Sequence, residues 1–65
     1  MSKFPNVHVK LVGEDGNAFA ILGRVQRAMR LADIPQEEIT AFRMEATSSD
    51  YDHLLATCLL WVECE

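Results

Sequence analysis

The amino-acid sequence predicts a small, mostly helical α+β domain, with one N-terminal strand followed by three packed helices in the order β-α-α-α. Alternating apolar residues near the N-terminus are typical of a half-buried strand. Three later stretches carry apolar residues three or four positions apart, as amphipathic helices do. A chain of 65 residues is the size of one small domain, so residues 1–65 are expected to fold as a single unit.

The strand is predicted over Asn6–Val12, where Val7, Val9 and Leu11 share one face. A lone strand leaves backbone hydrogen-bonding groups unpaired. The strand therefore needs a partner, which is either the C-terminal segment Leu60–Cys64 or the same strand of a second chain.

The longest helical pattern follows the turn Gly13–Gly16 and extends to Ala32. Its apolar residues fall on an arc about 120° wide, which is typical of a helix packed on a core. Asn17 is expected to cap this helix, because its side chain can accept from N–H groups of the first turn. Stability does not explain Gly23, which costs about 1 kcal/mol relative to alanine in a helix, or Phe19, which falls off the apolar arc.

The second helix is predicted over Pro35–Ala46, with Pro35 at its first position, where the missing N–H is tolerated. Ile39, Phe42 and Ala46 repeat at helical spacing and form its buried stripe.

The third helix is predicted to begin near Tyr51, after a capping box formed by Ser49 and Asp52. Its C-terminal part is apolar on nearly every side, so it is either central or half-covered by a partner. Small domains often gain stability by association, and a homodimer with Leu60 and Trp61 at the oligomer interface is expected.

The apolar residues on one side of each of the four predicted elements together predict one hydrophobic core. Burial of this apolar surface is the main source of folding stability. The predicted core residues are Val7, Val9, Leu11, Ile21, Leu22, Val25, Met29, Ile39, Phe42, Leu54, Leu55 and Cys58.

Composition narrows the class of protein. The net charge of −4 does not favour general attraction to nucleic acid or to anionic membranes. No apolar run approaches the length of a membrane span. Cys58 and Cys64 are the only cysteines and form no disulfide framework, so we expect both to be reduced and the protein to be cytoplasmic.

No catalytic group, metal site or cofactor site is predicted, so the protein is not expected to be an enzyme. The loop Gly13–Asn17 has acidic residues but not the twelve-residue ligand spacing of a calcium loop. Asp52 and His53 are adjacent on a helix and do not face each other. His8 has no partner at metal-ligand spacing.

The outer face of the first predicted helix is the most informative surface. Arginine and aromatic residues are enriched at the centres of protein interfaces. This surface is predicted to bind another protein, and its residues are Phe19, Gly23, Arg24, Arg27 and Arg30.

The sequence also allows two alternatives to protein binding. A small ligand such as a nucleotide could bind between the loops Gly13–Asn17 and Thr47–Asp50. The first two helices could instead form a DNA-binding pair, although Glu37, Glu38 and Glu45 on the second helix disfavour that function.

The segments GEDGNAFAILGRVQRAM, IPQEEITAF and EATSSDYDHLLATCLLW resemble a family of very short uncharacterised bacterial and phage-encoded proteins. The resemblance extends from Asn6 to Val62. It implies a bacterial cytoplasm or a mobile genetic element as the setting, and a role in the contest between phage and host. It implies no catalytic residues.

Overall fold

The computed structural model of the protein describes residues 2–11 and 13–65. It confirms the predicted α+β fold, with the C-terminal segment folded as a short second strand. The elements are strand β1 (Phe4–Val9), helix α1 (Ala18–Leu31), helix α2 (Gln36–Ala46), helix α3 (Tyr51–Trp61) and strand β2 (Val62–Cys64).

The two strands form a parallel two-stranded sheet, with an irregularity between Phe4 and His8. Backbone hydrogen bonds continue the pairing at both ends, from Lys3 N to Leu60 O (2.8 Å) and from Glu65 N to Val9 O (2.9 Å). The partner of β1 is therefore the C-terminal segment. The strand begins and ends earlier than the predicted span Asn6–Val12, and Val12 lies outside the described residues.

Helix α1 begins as predicted, because the Asn17 side chain accepts a hydrogen bond from Phe19 N (2.9 Å). Its buried residues are those of the predicted apolar stripe: Ile21, Leu22, Val25 and Met29. This stripe packs on the other helices and on β1, so the opposite side of α1 faces solvent.

The other two helices begin differently from the prediction. Pro35 precedes α2 as its cap and is not its first helical residue. The cap of α3 is Asp50, whose carboxylate accepts from His53 N (2.9 Å), so the predicted capping box of Ser49 and Asp52 is wrong. Asp50 takes this position because it is the last residue with extended backbone angles before the helix.

The hydrophobic core lies where the three helices meet the inner face of the sheet. Leu11 and Leu55, which were expected in the core, are only half-buried. Leu11 lies beyond the end of β1, and Leu55 lies at the side of α3. The buried apolar residues are Val7, Val9, Ile21, Leu22, Val25, Met29, Ile39, Phe42, Ala46, Leu54, Cys58 and Val62.

Aromatic residues close the core where α3 ends and β1 begins. The Trp61 ring packs edge-on against Phe42, with ring centres 5.7 Å apart, and lies 6.0 Å from the ring centre of Phe4. The ammonium of Lys3 lies 4.3 Å from the centre of the Trp61 ring and 2.7 Å from a carboxylate oxygen of Glu38. We call these five residues the aromatic end.

No helix in the described part of the chain is both long and apolar enough to cross a membrane.

Candidate functional site

Phe19 is the most exposed large apolar residue on the described surface, with 83% of the residue surface open to solvent. It lies in the first turn of α1, where its backbone N–H is bonded to the cap residue Asn17. Phe19 falls outside the buried stripe that Ile21, Val25 and Met29 form on α1, so its ring faces outwards. The ring stands between two shallow grooves.

The first groove, which we call the loop groove, lies between the start of α1 and the connection from α2 to α3. Its volume is about 230 Å³. The Tyr51 hydroxyl donates a hydrogen bond to Gly16 O and so holds the two loops together beside it. Its lining is mostly apolar and consists of Ala18, Phe19, Leu22, Ala46, Thr47, Ser49, Asp50, Tyr51 and Leu54.

The second groove, which we call the helix groove, lies between the outer sides of α1 and α2. It has a volume of about 430 Å³ and shares Phe19, Leu22 and Thr47 with the loop groove. Met44 on its α2 side is 66% exposed. The residues that complete its lining are Gly23, Gln26 and Arg43.

The three arginines predicted for this surface do not behave alike. Arg24 turns back to the preceding loop, where its guanidinium lies 3.9 Å from a Glu14 carboxylate oxygen and donates to Asp15 O (3.4 Å). Arg27 and Arg30 are exposed and make no ion pair within the described residues. The structure therefore keeps Phe19, Gly23, Arg27 and Arg30 on the outer face and places Arg24 at its edge.

Gly23 is not required by packing inside the protein. A Cβ atom built on it meets no heavy atom within 4 Å, apart from its own helix backbone, in the part of the chain that is described. The residue leaves a bare position on α1 that lines the helix groove.

Sequence reasoning missed the contribution of α2 to this surface. Arg43 and Met44 fall outside the buried stripe of α2, which is the one signal that the sequence offers. That signal does not say that they lie beside Phe19 and Gly23, because the pairing of helix sides depends on how α1 and α2 pack.

The two residues predicted for an oligomer interface have different surroundings in the structure. Trp61 is half-buried in the aromatic end, whereas Leu60 is 66% exposed. Leu59 beside it is 63% exposed and borders a small apolar groove of about 280 Å³ near Leu11 and Leu55. The exposed apolar surface of α3 is therefore centred on Leu59 and Leu60.

His53 joins the end of α2 to the start of α3. Its Nε2 atom lies 2.9 Å from a carboxylate oxygen of Glu45, 3.1 Å from the Glu45 backbone oxygen and 3.3 Å from Ser48 Oγ. A catalytic Ser–His–acid arrangement needs the acid and the serine on different ring nitrogens. All three contacts here are made by the same nitrogen, Nε2. The His53 side chain therefore links α2 to α3 structurally and does not form such a catalytic arrangement.

The two thiols are poor nucleophiles at neutral pH. Burial, and then the charge of Cys64, raise the pKa of Cys58 from 9.0 to about 11. Burial, and then the charge of Glu63, also raise the pKa of Cys64. The thiolate is the reactive form, so neither cysteine is activated. Among the described residues, no group of three or more His, Cys, Asp or Glu side chains is arranged to hold a metal ion.

No protein-family model, curated protein or solved structure matches the chain.

Proposed function

We propose that this protein is a non-enzymatic binding module that docks on another protein. The surface, called the docking surface below, consists of Phe19, Gly23, Arg27 and Arg30 on α1 with Arg43 and Met44 on α2, and Arg24 lies at its edge. The observation that carries the proposal is Phe19, a residue that is 83% exposed and lines two grooves beside cationic side chains.

The energetic argument concerns what a partner would gain. Burial of a phenylalanine side chain contributes about 1.5–3 kcal/mol relative to leaving it in water. Phe19 contributes little of this to folding, because it stays exposed. A partner that covers Phe19 gains that free energy, and aromatic residues and arginines are the groups that dominate measured interfaces.

The charge of the surface indicates the chemistry of the partner. The protein has ten acidic and six basic residues, yet Arg27, Arg30 and Arg43 lie on or beside one face. Arginine pairs with carboxylates in a two-point geometry. We therefore expect an acidic protein surface as the complement and an association that weakens as salt concentration rises.

Site-specific photo-crosslinking tests the proposal. A photoreactive phenylalanine analogue replaces Phe19 or, as a control, exposed His8 on β1. We expect a crosslink to another protein in native cells from position 19 and none from position 8. The double change Arg27→Glu and Arg30→Glu should abolish the crosslink while the melting temperature stays within a few degrees, because both side chains are exposed.

Two outcomes would overturn the proposal. One is that the double variant keeps every partner interaction, since the face is then only a solvated helix side. The other is that a rival ligand binds instead. Duplex DNA binding with a steep salt dependence, lost in Arg27→Ala, would indicate DNA. A nucleotide that raises the melting temperature by several degrees would indicate a small ligand in the loop groove. Among the described residues, the one charged side chain that lines this groove is the acid Asp50.

Self-association is a second part of the proposal, and the exposed Leu59 and Leu60 on α3 support it. Strand β1 already pairs with β2, so an unpaired strand is not a reason for dimerisation. We expect Leu60→Lys to convert a dimer to a monomer in sedimentation experiments without loss of helix content. A wild-type chain that stays monomeric at high micromolar concentration would contradict this prediction.

The resemblance in sequence supports a bacterial cytoplasm or a mobile genetic element as the setting. In that setting, a phage or host defence protein is the expected partner.

A further inference from the structure

We infer that the docking surface receives an acidic amphipathic helix whose backbone crosses α1 at Gly23. This inference rests on the proposed function and specifies the partner. Four features of the surface support it, namely the bare glycine, the helical walls, the two grooves beside Phe19 and the exposed arginines.

Gly23 is the first feature. Glycine is among the least favourable residues in the interior of a helix, and a Cβ atom at this position would meet nothing within 4 Å beyond the helix backbone in the described part of the protein. Packing inside the protein therefore gives no reason for it. A partner backbone that approaches α1 closely does give one, because close approach requires the absence of a side chain.

The secondary structure that forms the docking surface favours a helical partner over an extended one. An extended peptide adds to a free sheet edge through main-chain hydrogen bonds, whereas an amphipathic helix inserts side chains into a groove. The docking surface is made by α1 and α2, whose backbone groups are already hydrogen-bonded within the helices. Side-chain insertion is the mode that this surface can offer.

The grooves fit two apolar side chains on one side of a helix. Residues three or four positions apart on a helix are neighbours, about 5–6 Å apart. One such side chain can enter the apolar loop groove beside Leu22 and Leu54, and the next can enter the helix groove beside Met44. Phe19 would then lie between them and contact both.

The arginines place the acidic residues of the partner. Arg43 lines the helix groove, and Arg27 and Arg30 lie on α1 one and two turns after Gly23. Carboxylates one or two turns away from the apolar anchors would meet these guanidinium groups. Arg24 is held by Glu14 and by the loop, so it is not part of this pairing.

A phage-displayed library of 20-residue peptides, with helix-favouring residues between randomised positions, tests the inference. Selection on the full-length protein should enrich peptides with two large apolar residues one helical turn apart and two or more Asp or Glu one or two turns away on the same side. Enriched peptides should become helical on binding, as measured by circular dichroism. Basic enriched peptides, or peptides that stay extended when bound, would overturn the inference.

The decisive variant is Gly23→Gln, with Ala41→Gln as its matched control. Glutamine favours helix more than glycine does, so the melting temperature of Gly23→Gln should be unchanged or higher. Its affinity for the enriched peptides should fall at least tenfold, because the new side chain fills the bare position. Ala41 is exposed on α2 and does not line either groove, so Ala41→Gln should bind within twofold of wild type. Equal affinity in Gly23→Gln would exclude a crossing at Gly23.

The crosslinking experiment separates the two levels of inference. If Phe19 crosslinks to a partner in an Arg27- and Arg30-dependent way but the selection enriches no acidic helix, docking holds and the helical partner is wrong. If the crosslink also fails, docking itself is wrong.

Discussion

Trp61 lies at the C-terminal end of α3, whereas Phe19 lies in the first turn of α1 beside the connection from α2 to α3, and the surroundings of the two rings differ. The Trp61 ring contacts Phe42 and Phe4 and is covered by the Lys3 ammonium. Phe19 is 83% exposed, and its ring stands between two grooves. Trp61 therefore packs within the fold, whereas the apolar surface of Phe19 stays open to solvent.

The cationic side chains near these two rings differ in the same way. Lys3 is paired with Glu38 at 2.7 Å. Arg27 and Arg30 are not paired with any acid in the described residues. Exposure and lack of pairing within the described residues coincide on the outer face of α1, which is the face that we propose as the docking surface.

The largest expected effect on stability is a difference between alanine substitutions at Trp61 and at Phe19. Trp61→Ala should lower the free energy of unfolding by about 3 kcal/mol, because large-to-small changes at packed aromatic residues remove buried surface and leave a cavity. Phe19→Ala should change it by less than about 0.5 kcal/mol, as exposed substitutions do. Urea unfolding followed by circular dichroism measures both. Similar losses in the two variants would mean that Phe19 also supports the fold.

A smaller effect is expected at high pH from Cys58, which lies one helical turn before Trp61. Its pKa is raised from 9.0 to about 11 in the folded protein, so between these values the unfolded chain loses its proton first. The stabilising contribution is therefore complete below about pH 9 and is lost as the pH rises towards 11. The loss should reach about 2–3 kcal/mol, since one pKa unit corresponds to about 1.4 kcal/mol.

Unfolding measured from pH 8 to pH 11 checks this prediction. Cys58→Ala should reduce the alkaline loss of stability, and Cys64→Ala should retain most of it, because burial is the larger cause of the Cys58 shift. An unchanged alkaline loss in Cys58→Ala would assign it to other groups.

The smallest expected effect on stability comes from the ammonium group of Lys3 at the aromatic end. Lys3→Met removes both the contact with Glu38 and the position over the Trp61 ring. We expect a loss of about 1 kcal/mol, because a surface ion pair and an exposed cation–π contact each contribute a fraction of that amount. Lys10→Met is the matched control, since exposed Lys10 makes no ion pair in residues 2–11 and 13–65. Equal thermal stability of the two variants would show that Lys3 does not support the aromatic end.

Local chemistry made much of the fold predictable. Asn17 caps α1, and Ile21, Leu22, Val25 and Met29 form its buried stripe, as the sequence indicates. These features depend on the 3.6-residue period and on capping groups within one turn of the helix start, so neighbouring residues determine them. The outward position of Phe19 follows from the same period.

The predictions that failed depend on contacts between distant residues or on small shifts of a helix start. Asp50 caps α3 in place of Ser49, because a one-residue shift in the start of the helix changes the capping residue. Leu11 and Leu55 share the apolar pattern of the core but lie at its margin, where no neighbouring element covers them completely.

The sequence alone determined the order of elements, the helix phases and the exposed, arginine-rich side of α1. Tertiary structure alone decided that residues 62–64 pair with β1, that Trp61 belongs to the aromatic end and that Arg24 turns back to Glu14. It also decided that Arg43 and Met44 join Phe19 around the helix groove. The physical reason is that the periodicity of the sequence determines which residues share one side of a helix or strand. Only tertiary packing determines which side of one element lies against another element.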